Sequence, residues 1–222
     1  MRFFKGRDIK RLALPITRRC NRSCPECPAK ADSETPMWEL EWVGEMLGPI
    51  DKIEVTGGEP SLHPDFVEIS ENLHNWFDCQ DIMLLTNGYL AEDEKNLPVL
   101  LNYDRVYVSH YTEQFADRYG TPTNTEVHDK IRDYLKDYPD IKFWSQTMDY
   151  HIPIGQPPYR GTCTMGYVVS DMIGYSQGRL YGCCVSIWLD DHGKGIPLTK
   201  DWRGHLEDIW LPCDKCFISG QK

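Results

Sequence analysis

Cys20-Asn21-Arg22-Ser23-Cys24-Pro25-Glu26-Cys27 constrains this chain more than any other stretch. A CxxxCxxC spacing puts three soft thiolate ligands on one short loop, and no fourth cysteine lies nearby in sequence to close a tetrahedral set. A [4Fe–4S] cluster ordinarily takes four cysteine ligands, so three leave one iron open to another group. An open position is what separates catalytic metal sites from structural ones. A chain carrying such a loop needs a scaffold that holds it at an accessible face.

The second constraint is Thr56-Gly57-Gly58-Glu59-Pro60, which follows a short strand-like stretch, Lys52-Ile53-Glu54-Val55-Thr56. Glycines there let backbone approach a ligand with no Cβ in the way. Together the two motifs resemble the signature of the radical SAM superfamily. The resemblance implies that Cys20, Cys24 and Cys27 hold a [4Fe–4S] cluster whose open iron chelates the amino and carboxylate groups of S-adenosylmethionine (SAM). It places Gly57, Gly58, Glu59 and Pro60 beside the methionine portion, with Glu59 accepting from its ammonium in a charge-assisted bond. Thr86 and Asn87 of Thr86-Asn87-Gly88, and Ser109, match further SAM contacts, and Ser145 and Gln146 are candidates for the ribose hydroxyls. The family usually has an aromatic just before the third cysteine, whereas this chain has Glu26.

Composition narrows the class. With 222 residues, 41% of them hydrophobic and 26% charged, the chain suits one soluble domain with a small appendage. No apolar run reaches membrane-span length, and residues 1–7 lack the apolar core of a secretory signal, so a cytoplasmic protein without membrane contact is predicted. Nine cysteines in such a chain point to metal ligation rather than disulfides. The net charge of −10 argues against nonspecific nucleic-acid binding. It is unevenly spread: residues 1–30 carry nine Lys and Arg against Asp8 and Glu26, a net +7, and the remainder carries −17. The basic arm either lies against the acidic body or faces an anionic substrate, the SAM carboxylate or an acidic electron donor.

Hydrophobic periodicity sets out a βα rhythm. Strands are expected at 9–17, 52–56, 81–85, 105–108 and 141–146, and helices at 37–47, 64–77, 92–101 and 127–138. Residues 111–126 have no clean period, contain Gly120-Thr121-Pro122, and are expected to form a long loop, either a substrate lid or a plain linker. Five or six such strands cannot close an eight-stranded barrel. The predicted fold class is therefore α/β, a partial, open βα TIM-like barrel of five to six parallel strands over residues 1–150. Its cysteine loop and GGEP turn lie at the carboxyl ends of strands, where such barrels carry their active sites.

Pro153, Gly155, Pro157, Pro158 and Gly161 then mark a boundary. Residues 167–175 and 179–181 flank Ser176-Gln177-Gly178 as a hairpin. Cys163, Gly178 and Cys183, followed by His205-Leu206-Glu207-Asp208-Ile209-Trp210 and Cys213-x-x-Cys216, resemble a truncated SPASM pattern of the twitch type. That resemblance implies a small β-hairpin, cysteine-rich module over residues 151–222. In it Cys163, Cys183, Cys213 and Cys216 hold a second, auxiliary [4Fe–4S] cluster, with Cys184 as the competitor for Cys183. A zinc ribbon fits the same spacing. Cys79 is expected to be a small buried apolar residue.

The activity implied is reductive cleavage of SAM to methionine and a 5′-deoxyadenosyl radical, then hydrogen-atom abstraction from a small-molecule or nucleotide-type substrate. The outcome is oxidation, rearrangement or bond formation, with electrons from a donor such as flavodoxin or ferredoxin. Twitch relatives include an aminocyclitol dehydrogenase and a nucleotide cyclase, so fold does not choose the reaction. A SPASM-type maturase with a peptide substrate and a non-catalytic zinc-binding module are the alternatives. His110, Tyr111 and Cys184, with Asp149, Tyr150 and His151 beside them, are the candidates for catalytic proton or hydrogen-atom transfer.

Overall fold

Leu12, Leu14 and Ile16 alternate with Ala13, Pro15 and Thr17 in the first strand, and all six are buried. A strand buried on both faces belongs inside a parallel sheet that is covered on both sides. The computed structural model, which describes residues 9–24, 27, 32–148, 171–182 and 195–209, places this strand inside a mostly parallel sheet. Its strands are β1 (Arg11–Thr17), β2 (Ile50–Gly57), β3 (Cys79–Thr86), β4 (Arg105–Tyr111), β5 (Lys142–Met148), β6 (Met172–Ser176), β7 (Arg179–Tyr181) and β8 (Ile196–Pro197). They form one sheet in the order β5-β4-β3-β2-β1-β6-β7-β8. The first six run parallel, β7 runs antiparallel to its neighbours β6 and β8, and the two edge strands do not pair with each other. This is the open partial barrel that the periodicity predicts.

Helices α1 (Met37–Leu47), α2 (Phe66–Trp76), α3 (Glu113–Tyr119) and α4 (Thr125–Leu135) join the strands. The helix-side face of the sheet carries Leu12, Leu14, Ile16, Ile53, Val55, Ile82, Leu84, Val106 and Val108, which pack in one core with Leu40 and Val43 of α1, Ile69 and Leu73 of α2, and Ile131 of α4. At about 1.5–3 kcal/mol for each fully buried aliphatic side chain, this face supplies most of the cohesion. Pro15 has no amide to donate. The β1–β6 ladder accordingly stops at Ala13, and the β1–β2 register shifts between Pro15 and Thr17, where the chain turns towards the cysteine loop.

Three local expectations change. Residues 94–102 form 3₁₀ turns rather than an α-helix, because Pro98 removes a donor from the middle of the segment. The expected loop at 111–126 contains α3, capped by the Thr112 hydroxyl on the Phe115 amide and ended by left-handed Gly120. The hairpin forms as expected, with Gln177 and Gly178 both at positive φ (49° and 74°), the two-residue turn whose twist suits antiparallel strands. Its place in the sheet is new: β6 lies parallel beside β1, pairing Leu12 with Ile173, so the sheet crosses residue 150. Strand partnership is not a local property, and nothing in the 172–176 stretch announces it.

Candidate active site

Three loops meet at the carboxyl ends of β1, β2 and β3, and Glu59 joins them. Its carboxylate is fully buried. Oε1 accepts from the Thr86 hydroxyl (2.7 Å), the Ser61 hydroxyl (2.7 Å) and the Ser61 amide (3.3 Å), and Oε2 accepts from the Asn87 amide (2.7 Å). Burial pushes the Glu59 carboxyl above its ordinary range, and these donors pull it back. The Glu59 amide donates to the Arg19 carbonyl (2.7 Å) and the Gly58 amide to the Thr17 carbonyl (2.9 Å). The GGEP turn is thus fixed to the lead-in of the cysteine loop. A Cβ on Gly58 would lie 2.2 Å from the Arg19 carbonyl oxygen, and one on Gly57 would lie 2.4 Å from that of Thr17. The close approach that requires these glycines is made by the chain's own backbone. Pro60 is buried at the head of the single 3₁₀ turn Pro60–Leu62.

Asn87 extends the network to the cysteines. Its Nδ2 donates to Asn21 Oδ1 (2.8 Å) and lies 3.8 Å from Cys20 Sγ, while the Arg22 amide reaches the same sulfur at 3.4 Å. The Cys20 thiol is pushed up to about 11, first by burial, with the Arg22 amide opposing and the charges of Glu59, Cys27 and Cys24 adding. Cys24 is buried against Tyr111 and Phe115, with Cys27 packed on the same group. The Tyr111 and Phe115 rings lie 4.8 Å apart, and the Arg22 guanidinium sits 4.3 Å over the Tyr111 ring. Burial, then the nearby Cys24, raises the Tyr111 hydroxyl.

Cys20, Cys24 and Cys27 are unbridged, and among the described residues no three His, Cys, Asp or Glu converge closely enough to hold a single metal ion.

Strand alternation sorts the remaining candidates. On β4, Ser109 and Tyr111 share a face with Tyr107, opposite Val106 and Val108. His110 falls on the helix side, stacked on His128 of α4 (4.3 Å, 12°) with Nε2 on the Thr125 hydroxyl (3.0 Å). The structure therefore brings Tyr111 to the cysteine loop and places His110 on the other face of the sheet. On β5, Ser145 shares the helix side with Phe143. Gln146 points the other way, pairs in register with Ser109, and accepts from the Tyr107 hydroxyl. Ser145 and Gln146 thus do not face one ligand together. Cys163, Cys183, Cys184, Cys213, Cys216, Asp149, Tyr150 and His151 lie outside the described residues. Cys79 is half-buried at the start of β3, its thiol on the Asp81 carbonyl (3.3 Å) and pushed up to about 11 by burial.

Sequence reading missed Arg22, Phe115 and Asn124. Arg22 occupies a variable position of its motif, and Phe115 lies in a segment without a period. Asn124 stands before a helix, where asparagine looks like an ordinary cap.

Comparison with known proteins bears on this geometry. A family model described as the Radical SAM superfamily matches residues 14–152. A probable GTP 3′,8-cyclase from Methanopyrus kandleri is 32% identical over 116 residues, covering 49% of this chain and 36% of that protein. Molybdenum cofactor biosynthesis protein 1 of Mus musculus is 36% identical over 92 residues, covering 37% of this chain and 14% of that protein. This chain thus matches little more than a third of the first relative's length and less of the second. Among solved structures, BtrN in complex with AdoMet and 2-DOIA superposes with a TM-score of 0.58 at 17% identity, over 92% of this chain and 82% of that one, a likeness of fold.

Proposed function

This chain belongs to the radical SAM superfamily, and on that premise we propose that it cleaves SAM reductively and abstracts a hydrogen atom from a small-molecule or nucleotide-type substrate. One observation carries the reading: the cysteine loop, the GGEP turn and the TNG strand end form a single hydrogen-bonded network through Glu59 and Asn87. The GTP cyclase relatives favour a nucleotide within that substrate class. Electrons would come from a flavodoxin- or ferredoxin-type donor in the cytoplasm.

Cys20, Cys24 and Cys27 would hold a [4Fe–4S] cluster with one iron left for SAM. When bound, the cluster supplies the electron that splits SAM into methionine and a 5′-deoxyadenosyl radical. This chain's residues do the positioning and shielding. Tyr111 and Phe115 keep water from the Cys24 side of the loop. Asn87 fixes the Cys20 side. Glu59, fully buried with four donors on its carboxylate, would hold the GGEP turn in place at the methionine end of SAM. Ser109 and Gln146, side by side on the face that carries Tyr111, would bound the far side of the ligand. Residues 151–222 would form the auxiliary module, with a second cluster on Cys163, Cys183, Cys213 and Cys216.

The test is anaerobic reconstitution, iron and sulfide analysis, then dithionite and SAM with an assay for 5′-deoxyadenosine. About eight iron atoms per chain are expected if both clusters form, and about four if only the first does. Cys24→Ala is expected to abolish 5′-deoxyadenosine. Absence of SAM cleavage by the iron-loaded wild type would sink the reading.

A further inference from the structure

Asn124 stands in the N-cap position of α4, where asparagine is among the preferred residues, yet its side chain does not cap the helix. It reaches instead to the ends of two strands. Nδ2 donates to the Asn87 carbonyl (2.5 Å) and to the Ser109 carbonyl (2.8 Å), and Oδ1 accepts from the Tyr111 amide (2.6 Å). The residue is 5% exposed, and the three bonds use both amide protons and the carbonyl oxygen. The helix start is served by Thr123, whose hydroxyl accepts from the Thr125 amide (3.1 Å). Local preference is set aside in favour of a long-range contact, a pattern expected at functional sites.

The residues it joins are telling. Asn87 touches Cys20 and Glu59, Ser109 is the serine on the ligand-facing side of β4, and Tyr111 packs on Cys24. The same segment is tied to the cysteine loop by Arg22, which donates to the Pro122 carbonyl. We propose that Asn124 is a positioning residue for SAM, setting the spacing between the Asn87 and Ser109 strand ends so that both meet one ligand. The inference rests on the reading that SAM binds there.

Asn124→Asp keeps the size and the acceptor for Tyr111 but removes both donors and sets a carboxylate against two carbonyls. In the reconstituted full chain, SAM is titrated against the EPR spectrum of the reduced cluster, and cleavage is measured at saturating SAM. Iron content equal to wild type, a SAM dissociation constant raised at least tenfold and a saturated rate within threefold are expected. A dissociation constant within twofold of wild type overturns the inference. If the variant loads no iron, hydrogen exchange on the wild type decides. SAM should then slow exchange across 109–125 as well as at 86–89, and protection confined to 86–89 overturns it. A wild type that loads iron and does not respond to SAM sinks the functional reading itself, a result separable from either arm.

Discussion

Gly58→Ala tests the idea that the glycines of the GGEP turn exist to let two stretches of backbone touch. The added methyl carbon would sit 2.2 Å from the Arg19 carbonyl oxygen and 2.7 Å from that of Arg18, and neither is the movable end of a side chain. The turn must therefore back away from the cysteine loop. Doing so lengthens the Gly58–Thr17 and Glu59–Arg19 hydrogen bonds, now 2.9 and 2.7 Å. Two bonds at about 1 kcal/mol each, with about 1–3 kcal/mol of overpacking, amount to about 3–5 kcal/mol. For a chain of this size each kcal/mol lowers Tm by about 2–4 °C, so a drop of about 6–20 °C is expected. The assay is thermal unfolding of the metal-free protein by circular dichroism, with iron uptake measured in parallel. Gly204→Ala is the control, since a Cβ there meets nothing within 4 Å and its effect should stay within about 0.5 kcal/mol. A Gly58→Ala protein that melts within 2 °C of the control and loads iron normally would refute the argument.

Glu59→Gln places an amide NH₂ among four donors and should cost about 1–3 kcal/mol in urea unfolding. Burial raises the Glu59 carboxyl above 4.5, so the folded state holds that proton more tightly than the unfolded chain. Glu59 therefore contributes a fall in stability as pH rises from about 4.5 through its folded value, a slope that should vanish in Glu59→Gln. Phe115→Ala should cost about 3–5 kcal/mol and, by opening the packing over Cys24, speed alkylation of that thiol in the metal-free protein, read by peptide mass spectrometry. Unchanged Cys24 labelling would show that Phe115 does not shield it.

The strands and the meeting of the first two motifs were legible because both rest on local signals. Leu12, Leu14 and Ile16 announce a buried strand by alternation, and CxxxCxxC and GGEP announce ligand chemistry by spacing. What stayed hidden depends on neighbours distant in sequence. The outward turn of His110 follows from strand alternation, but its partner His128 is 18 positions away on α4. Glu59 takes two donors from Ser61 close by in sequence, but those from Thr86 and Asn87 arrive only once β2 and β3 align. Helix α3 escaped notice because a seven-residue helix held by the fully buried Phe115 is too short to set up a period. Asn124 was hidden by resembling something commoner.

The placement of β6 beside β1 has a consequence in time. Arg11 pairs with Met172 and Leu12 with Ile173, so the strand leading into the cysteine loop gains its second neighbour only after some 160 further residues exist. At synthesis speeds of about 5–20 residues per second, that partner follows by roughly 8–32 s. Through that interval β1 presents an apolar edge open to wrong pairing. A contact so remote also slows folding, because its loop must close before any pairing rewards it. Iron delivered to the nascent chain would meet cysteines whose supporting strand is still bare on one side. Cluster insertion therefore belongs after β6 has docked, and the yield of loaded protein should depend on how long the growing chain is protected until then.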